Sequence, residues 1–322
     1  MMKPRVIVTR KWPAAVEQVL AERFDTTLNA GDIPFTATQI KAALLNFDAV
    51  LPTVSDKLPA EIFPEQPQAR IIGNFGVGFS HIDTEAAKQR GIAVTNTPGV
   101  LTDCTADIAM SLLLAVARRT GEGERQLRAG EWKGWCPTHM IGAKVTGKTI
   151  GIIGMGRIGK AMARRAHFGF GMKVVFFNRS RVDDEETRAM EAAQLPSIEA
   201  VLEQADFVSL HCPGGAENRN LINAERLGRM KNSAFLINTA RGDVVDEGAL
   251  ADALENGVIA GAGLDVFAQE PHVPERLIRL ENTVLLPHLG SATEETRVAM
   301  GMKVVDNITA FFAGEPIPDR VV

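Results

Sequence analysis

Lys148-Thr-Ile-Gly-Ile-Ile-Gly154-Met-Gly156-Arg-Ile-Gly159 decides the fold of this 322-residue chain. An apolar run leads into Gly-x-Gly-x-x-Gly, and a helix-forming segment continues from Lys160. Gly154 permits the tight turn, Gly156 lets backbone approach a pyrophosphate, and Gly159 lets the helix pack on the strand. The helix N-terminus then faces the phosphates. Glycines also mark ordinary turns. A second apolar strand, Lys173 to Phe177, favours the nucleotide-binding reading here.

Outward from this motif, short β-branched runs alternate with helix-length segments. Arg5–Thr9, Ala49–Leu51, Ile71–Gly73 and Ile92–Thr95 read as strands in the first third. Thr149–Ile153, Lys173–Asn178, Phe207–His211, Phe235–Thr239, Ala262–Val266 and Val284–Pro287 form a second series. Continuous apolar runs separated by helices predict parallel strands covered on both faces. The expected class is therefore α/β and doubly wound, with the parallel sheet present twice. Asp83 is placed to cap a helix reaching Arg90 before Gly91, and Asp246 one that stops at Gly257. Ser291-Ala-Thr-Glu294 has capping-box form before a helix that reaches Gly314. Gly121 to Lys148, with Trp132 and Trp135, lacks periodicity and reads as a functional or interface excursion.

Composition narrows the function classes. At about 100–200 residues per domain, the length suits two domains. Hydrophobic residues make up 45% and charged residues 23%, which excludes a disordered chain. With 35 Lys+Arg against 39 Asp+Glu the net charge is −4, without the basic excess of a nucleic-acid binder. The apolar stretch Ile108 to Ala117 is too short to cross a bilayer and reads as a buried helix. Cys104, Cys136 and Cys212 lie far apart, which argues against a zinc site and for a reducing cytoplasm. Tyrosine is absent, removing one common acid/base group.

The end of the second strand bears on the cofactor. An NAD enzyme offers Asp or Glu to the ribose 2′-hydroxyl about twenty residues after the glycine motif. Here Asn178-Arg179-Ser180-Arg181 supplies two guanidiniums and a hydroxyl instead. That favours NADP(H) over NAD(H), against the alternative of a solvated basic turn.

Arg241, Glu270 and His288 follow strands in the second half, where an open parallel sheet places its ligands. A 2-oxo acid needs a cation for its carboxylate, a proton donor for its carbonyl oxygen and a hydride for its carbon. Arginine suits the first need and histidine the second, with a glutamate to orient the ring and favour imidazolium. Taken singly, Arg241 and Glu270 read first as ordinary ion-pair members, and His288 as a core histidine.

Together the segments resemble the D-2-hydroxyacid dehydrogenase family, most closely its glyoxylate/hydroxypyruvate reductase branch. The matching stretches are Asn74-Phe-Gly-Val-Gly78 with His81-Ile-Asp83, and Asn96-Thr-Pro-Gly-Val-Leu-Thr-Asp103-Cys-Thr-Ala-Asp107. They continue through the glycine motif, His211-Cys-Pro213, Asn238-Thr-Ala-Arg241-Gly-Asp243, Gly263-Leu-Asp-Val-Phe267 and Pro287-His-Leu-Gly290.

The resemblance implies that Arg241 binds the substrate carboxylate, that His288 is the acid/base, and that Glu270 pairs with it. It implies that Val77 and Gly78 offer backbone N–H groups to that carboxylate, and that Asp265 holds the nicotinamide carboxamide. Thr105, Met155, Arg157, Ile158, His211, Cys212, Pro213, Thr239, Ala240, His288 and Gly290 would line the cofactor beside the glycines and Asn178 to Arg181. The implied architecture is a Rossmann-type NADP-binding domain, 99–289, and a flavodoxin-like, discontinuous substrate domain, 1–98 with 290–322, with a cleft between them. A homodimer through the cofactor domain and the Trp132–Trp135 excursion is also implied. Whether Trp135, His139 and Met140 reach an active site or serve interface packing stays open, as does the choice among small 2-oxo acids. The alternatives are an NAD-dependent phosphoglycerate-type dehydrogenase, a formate dehydrogenase, and a non-catalytic dinucleotide-sensing corepressor on the same fold.

Overall fold

Parallel pairing of short apolar strands organises the chain, in a computed structural model that describes residues 3–322. It falls into two units, one running to Leu101 and resuming at Ala292, the other Thr102–Ser291. In the first, β1 (Arg5–Val8), α1 (Ala14–Arg23), β2 (Asp25–Thr27), α2 (Ala37–Asn46), β3 (Ala49–Leu51), β4 (Ile71–Gly73), α3 (Thr84–Gln89) and β5 (Ala93–Thr95) alternate. The strands lie in the order β2-β1-β3-β4-β5, the flavodoxin-like arrangement. Successive side chains leave opposite faces of a strand. Val6, Val8, Leu51 and Ile71 therefore enter one core with Val16 and Leu20, while Ile7, Val50, Ile72 and Val94 enter another with Ile40 and Leu44.

The second unit opens with α4 (Thr102–Ala117) and α5 (Thr120–Arg128). It continues through β6 (Thr149–Ile153), α6 (Arg157–Arg164), β7 (Lys173–Phe177), α7 (Glu185–Ala189), β8 (Ala193–Gln194), α8 (Ile198–Gln204) and β9 (Phe207–Leu210). It ends with α9 (Ala224–Leu227), β10 (Phe235–Asn238), α10 (Glu247–Glu255), β11 (Gly261–Leu264), α11 (Glu275–Arg279) and β12 (Thr283–Leu285). The seven strands run β12-β11-β10-β9-β6-β7-β8, all parallel, so the order reverses between β6 and β9. Two apolar clusters cover the faces of this sheet. Both sheets and their two-sided cores agree with the doubly wound class.

Several local expectations are corrected. β2 and β8 were not legible because Asp25-Thr-Thr27 and Ala193-Gln194 carry no apolar run; each is an edge strand. The excursion begins as a helix, α5, with no buried residue and hence no apolar stripe to read. Charge pairs Arg119–Glu122 and Arg128–Glu124 lace it instead. Ser291 does not cap the final helix. Thr293 does, its hydroxyl accepting from Thr296 N–H, so α12 (Glu294–Ala313) begins with Glu294 and Glu295 against its positive end. Asp83 and Asp246 cap α3 and α10 as expected. No helix among the described residues is long and apolar enough to cross a membrane.

α12 belongs to the first unit and packs on α1 and β4. Gly73 leaves room for Val304, since a Cβ there would lie 2.6 Å from the valine Cγ1. Gly301 does the same for Val16, where a Cβ would meet both Cγ atoms at 2.7 Å. Val16 is fully buried and β-branched, so it cannot turn aside. Gly301→Ala gains helix propensity worth about 1 kcal/mol, but overpacking of about 1–3 kcal/mol opposes it. A net loss of stability in urea unfolding is expected.

Candidate active site

Two of the motif glycines are fixed by the protein itself. Gly154 has φ +96°, donates its N–H to Phe177 O, and would place a Cβ 2.8 Å from Cys212 N and His211 C. β9 ends against this face of the turn. At Gly159 a Cβ would lie 2.2 Å from Gly154 O, so α6 sits directly on the turn. Gly156 differs, for a Cβ there would meet nothing within 4 Å. Its smallness serves no neighbour in the chain and leaves a cradle open at the N-terminus of α6. Thr239 supplies a second sign of a missing partner: its hydroxyl is buried at the carboxyl end of β10 with no hydrogen bond among the described residues. Both features fit a phosphate-bearing dinucleotide at the reversal of strand order.

Asn178 ties this loop to the turn after β7. Its Oδ1 accepts from Met155 N–H at 3.2 Å, while its Nδ2 donates to Ser180 O and Oγ. Gln194 braces the turn by donating to Asn178 O and Ser180 O. The guanidiniums are paired: Arg179 with Glu217 at 2.6 Å and Arg181 with Asp183 at 3.1 Å. Local sequence shows no acid in this turn, yet Glu217 reaches Arg179 from the loop after β9. Arg157 and Ile158 open α6 beside the turn.

After β9, His211 is desolvated and its Nε2 lies 2.9 Å from Ser209 Oγ. Burial drives this imidazole down to about 3, so it stays neutral at physiological pH. Burial likewise pushes the neighbouring Cys212 thiol up to about 11. Past Pro213, Asp243 fixes the loop by accepting from Gly215 N–H and Asn220 N–H. Asp243 has no sequence signal of its own beyond its place in the segment Asn238 to Asp243.

Parallel pairing also gathers the other candidates. Arg241, beyond β10, donates to Ala240 O at 2.7 Å. Burial lowers its pKa, opposed by the charges of Glu270 and Asp243. Gly242 lies under the segment leaving β11: a Cβ there would be 1.8 Å from Phe267 C. Glu247 holds the same segment by accepting from Ala268 N–H, and burial raises its carboxyl above the ordinary value. Glu270 accepts from Phe267 N–H at 3.0 Å and from His288 Nδ1 at 2.8 Å. Burial pushes Glu270 upward, but the His288 hydrogen bond and charge, the Phe267 N–H and Arg241 outweigh it and hold it below its ordinary value. Arg241, Glu270 and His288 thus form one electrostatic group.

His288 sits at φ +56°, a left-handed conformation unusual for a side chain of this size. Asp265 clamps the turn. It is 1% exposed and accepts from Leu289 N–H at 2.6 Å and Gly290 N–H at 2.7 Å, while its carbonyl takes His288 N–H. Thr105 Oγ1 donates to Gly290 O from α4. The Asp265 carboxylate is therefore engaged in shaping the histidine turn, a role its sequence position did not disclose.

In the first unit, Asn74 Nδ2 donates to the carbonyls of Gly76 and Gly78, and Asn96 Nδ2 to that of Val77. His81 in turn bonds Asn74 Oδ1 at 3.1 Å. The carbonyls of Gly76, Val77 and Gly78 are thus occupied, and Val77 and Gly78 are half-buried. In the excursion His139 bonds back to Gln126, Met140 lies over Gly123, and Trp135 is 82% exposed.

Residues 110–290 match the NAD binding domain of D-isomer specific 2-hydroxyacid dehydrogenases. A glyoxylate reductase of Korarchaeum cryptofilum is 47% identical, the alignment covering 99% of this chain and 96% of that protein. One from Pyrococcus horikoshii is 45% identical over 100% of this chain and 96% of its own length. The crystal structure of an NADPH-dependent glyoxylate/hydroxypyruvate reductase from Sinorhizobium meliloti, in complex with NADP and malonate, superposes with a TM-score of 0.89. It is 37% identical and covers 99% of this chain and 97% of that one.

The lowered Glu270 carboxyl makes a stability prediction. A folded-state value below the unfolded one stabilises above the unfolded pKa and is lost as pH falls through the folded value. Glu270→Gln should therefore be less stable than the parent at pH 7, the gap closing in acid below the ordinary carboxylate range. Urea midpoints across pH 2–7 check this.

Proposed function

The chain belongs to the D-isomer specific 2-hydroxyacid dehydrogenase family, a family of oxidoreductases, and we propose that it reduces a small 2-oxo acid, glyoxylate or hydroxypyruvate, to the 2-hydroxy acid with NADPH preferred. The observation that carries this reading is the His288–Glu270 contact at 2.8 Å beside the half-buried Arg241. The second unit is the dinucleotide-binding domain; Gly154, Gly156 and Gly159 would receive the pyrophosphate and Thr239, Ala240, Cys212 and Pro213 would line the site. A bound dinucleotide would supply the hydride for the substrate carbonyl carbon.

The residues divide the remaining work. Arg241 receives the substrate carboxylate in a desolvated setting, where a bidentate pair is strongest. Glu270, ionised at neutral pH, keeps a proton on His288 Nδ1 and fixes the ring plane. Nε2 then faces the substrate and donates its proton to the carbonyl oxygen. The reverse reaction takes that proton back at the same atom. Asp265 and Thr105 hold the His288 turn in register. Val77 and Gly78 of the first unit offer backbone N–H groups to an anion. Asn178, Arg179, Ser180 and Arg181 receive the 2′-phosphate.

The odd, widely spaced set Cys104, Cys136 and Cys212 supports a cytoplasmic setting. The exposed Trp132 and Trp135 support a homodimer through the excursion.

Loss of NADPH absorbance with glyoxylate is the direct test, and cofactor affinity without turnover would favour the corepressor reading. His288→Asn should lower kcat about 10²–10⁴-fold while sparing dinucleotide affinity. The cradle makes a separate prediction. Gly156→Ala should fold within about 0.5 kcal/mol of the parent yet weaken dinucleotide binding at least about tenfold, since its Cβ fills the phosphate position. Gly159→Ala should instead lose stability. Paired calorimetric binding and thermal unfolding separate the two.

A further inference from the structure

We propose that Glu217 is a specificity-determining residue, a resident counter-anion that occupies Arg179 and must yield to a 2′-phosphate. The inference rests on the cofactor reading above and deepens it. Arg179 Nη1 and Glu217 Oε2 stand 2.6 Å apart, their side chains 69% and 80% exposed. A pair this exposed contributes little to folding, because water screens it. It can therefore open for a ligand at small cost, which a buried pair cannot.

The carboxylate is nonetheless held near the guanidinium by its backbone. Glu217 lies in a short helical turn, Ala216–Asn218, after Gly215 at φ +107°. Asp243 Oδ2 accepts from Gly215 N–H at 3.0 Å, and Asn218 Nδ2 donates to Pro213 O at 2.9 Å. Below the loop, a Cβ on Gly214 would meet Asp243 Oδ1 at 2.7 Å and Arg241 Cγ at 2.8 Å. This loop thus leans on the Arg241 segment while carrying a carboxylate to the turn after β7. Arg179 directly follows Asn178, whose Oδ1 accepts from Met155 N–H, so the residue adjoins the glycine turn.

A phosphate dianion has to displace Glu217 from Arg179 and then sit beside a like charge. A ribose that carries a free 2′-hydroxyl needs neither change, and the carboxylate can accept from that hydroxyl. Glu217 therefore narrows the preference for the phosphorylated dinucleotide that Arg179 and Arg181 create. Arg181 is paired likewise, with Asp183, which Arg188 also holds.

The test is isothermal titration of NADP⁺ and NAD⁺ into the full chain and its Glu217→Gln, Glu217→Ala and Arg179→Ala variants. Glu217→Gln and Glu217→Ala should each tighten NADP⁺ about fivefold while NAD⁺ stays within about twofold or weakens. Arg179→Ala should weaken NADP⁺ far more than NAD⁺. An unchanged NADP⁺/NAD⁺ ratio in both Glu217 variants, with the Arg179 effect intact, overturns the inference and leaves the phosphate assignment standing. Weaker NADP⁺ binding in both Glu217 variants also overturns it, since Glu217 would then be positioning Arg179. Equal losses of both dinucleotides in Arg179→Ala remove the phosphate assignment and the inference together.

Discussion

Because β6, β7, β9, β10, β11 and β12 all pair in parallel, the chain leaves each of them at one edge of the sheet. The loops there have to pass within van der Waals distance of one another. Glycine marks each crossing: Gly154 against His211 and Cys212, Gly159 against Gly154, Gly214 against Arg241, Gly242 against Phe267 and Ala268. The crowding brings Arg241, Glu270 and His288 together from three strands, and it stiffens the segments that carry them. Gly156 is the exception that leaves room for something outside the chain.

Electrostatics then decides which charged groups are fixed and which are free to exchange partners. Asp265 is deeply buried, yet two backbone N–H groups compensate its carboxylate, and in return it holds His288 in a left-handed turn. Glu270 is shared between Phe267 N–H and His288, with Arg241 nearby. Asp265 and Glu270 each accept two directional hydrogen bonds, so each keeps one orientation. Arg179 and Arg181 sit in water with carboxylates that a ligand can displace. One sheet edge therefore combines the hydrogen-bonded His288–Glu270 pair with two arginines in solvent-exposed ion pairs.

Much of this is legible in the sequence. The glycine motif, the series of apolar strands and the capping aspartates Asp83 and Asp246 depend on local chemistry, and they form where the residues predict. The edge strands β2 and β8 and the polar helix α5 escaped notice because none carries an apolar period. Ser291 yielded its capping role to Thr293, where the first-turn glutamates meet the helix dipole.

Roles that depend on neighbours distant along the chain were out of reach. The sequence by itself determined the fold class, the place of the nucleotide motif and the residue types at the strand ends, since periodicity and turn chemistry are short-range. Tertiary structure alone decided that Asp265 holds the His288 turn, that Asp243 and Glu247 brace neighbouring loops, and that Glu217 faces Arg179. Each of those contacts joins residues brought together only by strand order, which is a property of the folded sheet and not of any local run.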